Sequence, residues 1–363
     1  MSAPIPRPGI LDIAPYVGGE ARIPGLEKPI RLASNESALG PSPRAVAAYN
    51  AAAGDMHRYP DGNALDLRAA LGRHYGLDPA RIVCGAGSDD LIHLLASAYA
   101  GPGDEVLYGR HGFAIYPIAA QTAGATPIAV PEKDLTFDVD ATLARVTKRT
   151  KLVFIANPNN PTGTFIPRDA LLRLHAGLPQ SVLLVIDSAY AEYVVRNDYD
   201  PGLALAGTAP NVVMTRTFSK IYALGGLRLG WCHAGAAVID VLNRVRNPFN
   251  VSSAALAAGI AALDDVASVD RAREHNDIWR PWLERALAAL GLAVVPGVAN
   301  FVLARFPAPP KDAAAAWEFL RRRGILVRKV AVYRLPEYLR ITIGTEAEMR
   351  ETVAAVGDFL GAK

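Results

Sequence analysis

An α/β fold, with a mostly parallel central sheet flanked by helices and a smaller α+β domain beside it, is what this 363-residue sequence predicts. Three observations carry that expectation. Short β-rich runs alternate with helical patterns between Arg81 and His233, and polar residues cluster just after several of those runs. After Asn250 the texture changes to one long helical stretch followed by short strands and helices. Apolar strands alternating with helices pack as a parallel sheet covered on both faces. Such open sheets place their ligands at the carboxyl ends of the strands.

Taken in order, the Pro/Gly-rich segment 1–40 is too irregular to stand alone and is expected to pack with the small domain. The large domain is expected over 41–260, with strands at Arg81–Cys84, Glu105–Tyr108, Lys151–Ile155, Val182–Asp187, Val212–Thr215 and Leu229–His233. Helices such as Asp89–Ala100 and Pro167–Ala176 lie between them. The helical stretch Ser252–Leu290 is expected to be interrupted at Gly259 and Pro281, because both residues weaken a helix interior. The small domain, 261–363, is expected to hold strands at Phe301–Arg305, Ile325–Arg328 and Leu339–Ile343, with helices near Lys311–Arg323 and Glu346–Leu360.

Composition narrows the function. With 51% hydrophobic and 20% charged residues the chain is neither disordered nor collagen-like. The 38 basic residues comprise eight lysines and 30 arginines, but 35 acids leave a net charge of only +3. That is too little for the cationic field that drives nucleic-acid binding. Cys84 and Cys232 have no metal-ligand spacing and read as buried free thiols, so no metal is expected. The N-terminus has acids and prolines where a signal peptide needs a basic start and an apolar run. The longest apolar stretch, Ala254–Leu263, falls well short of the ~18 residues of a membrane span, and a cytoplasmic protein is expected.

Four constellations carry chemistry. In Thr215-Arg216-Thr217-Phe218-Ser219-Lys220, hydroxyls precede a lysine and Arg228 follows eight residues later. In a chain so biased to arginine, a lysine here suggests work a guanidinium cannot do: an amine deprotonates and attacks a carbonyl. Gly85-Ala86-Gly87-Ser88-Asp89-Asp90, between a strand and a helix, offers backbone N–H groups to a phosphate, although Ser88 could equally be an ordinary N-cap. Asp187 ends an apolar run, where a carboxylate needs a cationic or hydrogen-bonding partner, and Tyr190 follows. A helix N-cap is the alternative for Asp187. Asn157-Pro158-Asn159-Asn160-Pro161-Thr162-Gly163 is a rigid turn that could offer an amide to a phenolate oxygen. Together these supply an amine, an acid for a pyridinium, a phosphate cradle and a phenolate partner.

The order GAGSDD, NPNNPTG, DSAYAEY and TFSK…GLRLG resembles that of the fold-type I pyridoxal 5′-phosphate (PLP) dependent aminotransferases of class I and II, over nearly the whole chain. LASNESALGPSP, RYPDGNALDLRAAL, HGFAIYPIAA and LPEYLRITIGT are most similar to the branch that transaminates L-histidinol phosphate in histidine biosynthesis. The resemblance implies that Lys220 holds the PLP aldehyde and shuttles the proton, that Asp187 pairs with the ring nitrogen, and that Asn160 and Tyr190 bond its phenolate oxygen. It implies that Phe113 stacks on the ring, and that Gly87, Ser88, Asp89, Thr217, Ser219 and Arg228 surround the phosphate. Arg340 would take the substrate carboxylate or another anion, with Tyr16, Asn35 and Arg328 as further substrate contacts. Tyr59 would reach the cofactor and substrate of a partner subunit, which implies a homodimer.

Two positions depart from the family pattern: Ser188 stands where an acid is usual, and Ala223 where glycine is frequent. An aromatic amino-acid aminotransferase would use the same site with an apolar pocket replacing the phosphate contact. A PLP decarboxylase of a phosphorylated amino acid could share the scaffold. A non-catalytic module of the same fold is disfavoured by the intact Lys220, Asp187 and Asn160.

Overall fold

The computed structural model describes residues 4–361. In chain order its strands are β1 (Ile30–Leu32), β2 (Ile82–Gly85), β3 (Glu105–Gly109), β4 (Thr126–Val130), β5 (Glu132–Lys133), β6 (Thr136–Phe137) and β7 (Thr150–Ala156). They continue as β8 (Leu183–Asp187), β9 (Val212–Thr217), β10 (Gly230–Ala234), β11 (Ala293–Val295), β12 (Phe301–Arg305), β13 (Ile325–Lys329) and β14 (Tyr338–Thr342). The central sheet has the order β2-β10-β9-β8-β7-β3-β4. All its neighbours pair parallel except β10, which is antiparallel to both β9 and β2.

Side-chain alternation explains why this sheet is buried on both faces. Val153, Ile155, Leu184 and Ile186 point into one core, with Leu67, Leu71 and Ala255 from covering helices. Leu152, Phe154, Leu183 and Val185 point into the other, with Leu91, Leu95, Ala119 and Leu242. A period of two with apolar residues at every position is the pattern of a doubly covered strand.

A second sheet, β1-β13-β14-β12-β11, lies under the helices Ala313–Arg322 and Glu346–Leu360 and the long helix Val266–Ala289. Its edge strand β1 comes from the N-terminal segment and pairs parallel with β13, Ile30 opposite Ile325. Edge strands β4 and β11 and the hairpin β5–β6 were not expected from the sequence. β4 contains Pro127 and is largely half-exposed, so it lacks the apolar run that marks its buried neighbours. Among the described residues no helix is long and apolar enough to cross a membrane.

The long helical region breaks where the sequence did not suggest. One helix runs Ser253–Asp264 straight through Gly259, and the next runs Val266–Ala289 straight through Pro281. The break is at Asp265, whose side chain accepts from Ser268 N and starts the second helix. A Cβ on Gly259 would lie 2.5 Å from Leu229 Cδ2, so this glycine permits close packing. On either side of Pro281 the helix is held by Trp279, Leu283 and Leu287, buried against the second sheet, which outweighs the backbone bond that proline forfeits.

Ala223, in the loop after Lys220, adopts φ +56°. An L-residue in this left-handed region carries a steric cost that glycine avoids. Ala223→Gly is therefore expected to raise stability by about 1 kcal/mol, relief of strain exceeding the added chain entropy. Chemical denaturation checks this; a lower stability would show that the Ala223 methyl contributes packing that matters more than its backbone angle.

Candidate active site

The polar residues that end the parallel strands converge at one sheet edge. Gly87 and Ser88 follow β2, Phe113 follows β3, the Asn157–Gly163 turn follows β7, Asp187 closes β8, and Lys220 follows β9. Because β10 runs the other way, Arg228 just before it sits at the same edge. The cavity there has a volume of about 390 Å³ and reaches across to Tyr16, Asn35, Arg328 and Arg340 beside the second sheet. Of the expected residues, Gly87 borders the cavity without lining it, and Tyr59 stands apart. Tyr59 is 83% exposed and stacks on Phe249, ring centroids 4.7 Å apart.

Lys220 and Asp187 share this cavity without neutralising one another; among the described residues no ion pair joins them. Lys220 Nζ donates to Ser34 O at 3.2 Å and stands 5.7 Å from the Tyr190 ring. Burial first, then the nearby Arg340 and Arg228 guanidinia, pulls its amine down to about 8. Asp187 is 4% exposed; burial pushes its carboxyl up to about 6, against the hydrogen bonds it accepts. Those donors are Tyr116 Oη at 2.8 Å, the backbone N–H of Ala189 and Thr215 Oγ1 at 3.4 Å. The carboxylate is therefore fixed in direction yet lacks a cation, and it caps no helix.

Two further side chains have their orientation fixed by neighbours. Asn160 Oδ1 accepts from Arg340 Nη1, which leaves the amide N–H₂ as its free group. Tyr190 Oη accepts from Asn35 Nδ2 at 2.8 Å, so its own proton is available to an acceptor in the cavity. Asn35 is itself held by Thr342, whose Oγ1 donates to Asn35 Oδ1 at 3.1 Å. Phe113 stands edge-on to Tyr116, whose ring stacks on Phe154.

The glycine-rich turn is built for close approach. Gly87, not Ser88, occupies the N-cap of the helix Ser88–Tyr99, at φ +98° and with no side-chain cap. The Ser88 hydroxyl is thus not spent on capping, and the first N–H groups stay open. A Cβ on Gly87 would fall 2.5 Å from Arg228 Nη2, and one on Gly230 would fall 2.4 Å from Ser88 N. The two acids of the turn do not oppose an anion. Asp90 turns back to accept from Ala86 N at 2.9 Å, and Asp89 pairs with Arg228 Nη2 at 2.9 Å. Thr217 Oγ1 donates to Ser219 Oγ at 2.9 Å, and Arg228 Nη1 reaches Ser219 Oγ at 3.4 Å.

On the opposite wall Arg328 and Arg340 are buried with no carboxylate partner among the described residues. Arg340 Nη2 donates to Ala33 O at 2.8 Å, while its Nε has no partner. Arg328 Nη2 donates to Val17 O at 2.6 Å, and its guanidinium lies 6.0 Å from the Tyr16 ring. Two uncompensated guanidinia in a low-dielectric wall need an anionic ligand.

Sequence reasoning missed Tyr116, the donor to Asp187. It lies three residues after Phe113, in the first turn of the helix Ile115–Ala123, and nothing local pointed it at a carboxylate 71 residues away. Ser188, the departure from the family acid, donates to Pro201 O at 2.8 Å and is fully buried, so it turns away from the cavity. Both cysteines are buried, and burial pushes each thiol up to about 12.

Two outcomes follow from these environments. The rate at which Lys220 captures an added aromatic aldehyde should rise with pH and level off above about 8, where its amine is neutral; a rise continuing beyond pH 10 would indicate an ordinary solvated lysine. Tyr116→Phe keeps the stack on Phe154 but strips a donor from Asp187, and should cost about 1–2 kcal/mol at neutral pH. Thermal unfolding reads that loss, and an unchanged midpoint would remove Tyr116 from the account.

Known proteins resemble the chain over nearly its whole length. Residues 27–356 match the family described as aminotransferase class I and II. The chain is 61% identical over 360 residues to the histidinol-phosphate aminotransferase of Rhodospirillum centenum, covering 99% of each chain. It is 59% identical to the protein of that name from Paramagnetospirillum magneticum, over 100% of both chains. Among solved structures, histidinol-phosphate aminotransferase from Sinorhizobium meliloti in complex with pyridoxal-5′-phosphate superposes with a TM-score of 0.91 at 32% identity, covering 99% of each chain. The chain belongs to the aminotransferase class I and II family.

Proposed function

We propose that this chain is a PLP-dependent aminotransferase acting on L-histidinol phosphate, exchanging its amine with 2-oxoglutarate to give imidazole acetol phosphate and L-glutamate in histidine biosynthesis. The observation that carries the reading is a buried, partly neutral Lys220 amine in one cavity with a cation-seeking Asp187 and two unpaired arginines. The full-length relatives that bear the histidinol-phosphate name supply the substrate.

The residues fit PLP. Asp187 lacks the cation that a protonated pyridine nitrogen would provide. Gly87 and Gly230 leave room where a Cβ would close the cradle at Ser88 N and Arg228. Asn160 N–H₂ and Tyr190 O–H are the free donors for a phenolate, and Phe113 lines the cavity where a ring would lie. When bound, PLP would supply the electron sink for the pair left as the substrate Cα–H bond breaks.

The protein's part is binding, orientation and proton transfer. Lys220 would anchor PLP covalently, and its amine is the base placed to take the Cα proton. At pH 7 about a tenth of an amine with this lowered affinity for protons is neutral, against less than a thousandth of an ordinary lysine. Arg340 and Arg328 bind the carboxylate of glutamate in one half-reaction and the phosphate of histidinol phosphate in the other. Guanidinium forks accept either anion bidentately. Tyr16 and Asn35 border the same space. Segments 1–40 and 261–363 would form the substrate-facing part around residues 41–260.

A homodimer would complete the site. Tyr59, exposed and remote from its own cavity, is the residue we assign to the partner's cofactor and substrate, and exposed Met56, Tyr49 and Phe249 fit a covered apolar face. A cytoplasmic location suits a biosynthetic enzyme of this kind.

A half-reaction screen tests the substrate. Histidinol phosphate should discharge the cofactor absorbance faster than phenylalanine or tyrosine; a faster phenylalanine would transfer the protein to the aromatic aminotransferases. Lys220→Ala should abolish turnover with every donor. Arg328→Ala should reduce kcat/KM for the phosphorylated substrate roughly 100-fold, the worth of a charge-assisted pair in a dry wall. An equal loss with phenylalanine would show that Arg328 does not read the phosphate.

A further inference from the structure

The half-buried His111, two residues before Phe113, commits three polar atoms to three different elements. Its N–H donates to Glu132 Oε1 at the start of the β5–β6 hairpin, at 3.0 Å. Its carbonyl accepts from Asn159 Nδ2 of the turn that carries Asn160, at 3.3 Å. Its ring Nδ1 lies 2.6 Å from Tyr333 O in the turn between β13 and β14. A carbonyl oxygen only accepts, so Nδ1 carries the proton and donates it.

That last bond spans the seam between the two sheets. Tyr333 is buried in a cluster with Leu303 of β12, Val330 just after β13 and Leu335, and Ala114 of the loop after β3 packs against that cluster. Its side chain faces Arg328, Arg340 and Tyr16, the groups of the substrate wall. The ring of His111 thus ties the backbone that presents Phe113 to the turn that backs both arginines.

Resting on the functional reading above, we propose that His111 is a positioning residue that sets the spacing between the cofactor face and the two substrate arginines. It touches neither cofactor nor substrate. Its loss leaves the cofactor cradle intact, because Asp187, Lys220 and Arg228 are held by other elements. It frees the Tyr333 turn, so Arg328 and Arg340 meet an anion at the wrong distance.

The test compares His111→Leu, which removes the donor, with His111→Asn, whose amide Nδ2 can stand where Nδ1 stood. On the PLP-loaded enzyme, Leu should raise KM for glutamate and for histidinol phosphate about tenfold, with kcat within about threefold and cofactor absorbance unchanged. Asn should bring both KM values back to within about threefold of the parent. Calorimetric binding of succinate, a dicarboxylate that cannot react, should weaken in parallel and reads the arginine geometry without turnover. If Leu lowers the unfolding midpoint markedly, His111→Ser, too short to reach Tyr333 O, takes its place. Unchanged KM values, equal losses in Leu and Asn, or a loss confined to kcat or cofactor affinity would overturn the proposal. A parent protein that transaminates neither substrate yet shows the succinate effect would overturn the functional reading and leave the positioning role standing.

Discussion

Two buried ionisable groups held in one cavity without a counter-ion between them set the terms for everything around them. Lys220 loses proton affinity because its charged form is desolvated and faces Arg340 and Arg228. Asp187 gains proton affinity because its carboxylate is desolvated while only neutral donors reach it. Desolvating a charge is expensive, and burial is tolerated when the neutral form or a ligand relieves it. The site therefore stores a demand for a cationic ring nitrogen at one end and for a carbonyl carbon at the other. PLP would supply both, and in the proposed function the two arginines of the opposite wall would extend the same logic to the substrate's anion.

Topology delivers these groups to one place. Parallel strands bring their carboxyl ends to a single edge, and the reversal of β10 adds Arg228 from its amino end. Glycine at 87 and 230 lets the helix starting at Ser88 come close to β10 and to Arg228. Side chains outside the cavity then fix direction: Tyr116 aims Asp187, Asn35 aims Tyr190, Arg340 orients Asn160, and His111 joins the loop after β3 to the second sheet. Preorganised dipoles of this kind need no rearrangement when charge develops.

Much of this was legible in the sequence, and what escaped did so for physical reasons. The buried strands were visible because doubly covered strands are apolar at every position, and Lys220, Asp187 and Asn160 stood out as polar residues at their ends. Edge strand β4 was invisible because one side of it meets solvent. The N-cap went to Gly87 because a positive φ and close approach to Arg228 matter more there than capping propensity. Gly259 and Pro281 failed as breaks because tertiary packing outweighed local preference. The orienting hydrogen bonds link residues 71, 155, 180 and 222 positions apart, which no local pattern encodes. Tyr59 does not line the active-site cavity of its own chain, so only the family pattern marks it.

The central claim is that one lysine among eight carries the chemistry because its surroundings hold it partly neutral. Peptide mapping by mass spectrometry, after PLP is bound near pH 7 and fixed with borohydride, tests this most directly. The account predicts one pyridoxyl group per chain, on the peptide containing Lys220 and on no other. Label spread over several lysines, or placed on a peptide other than that of Lys220, would contradict it.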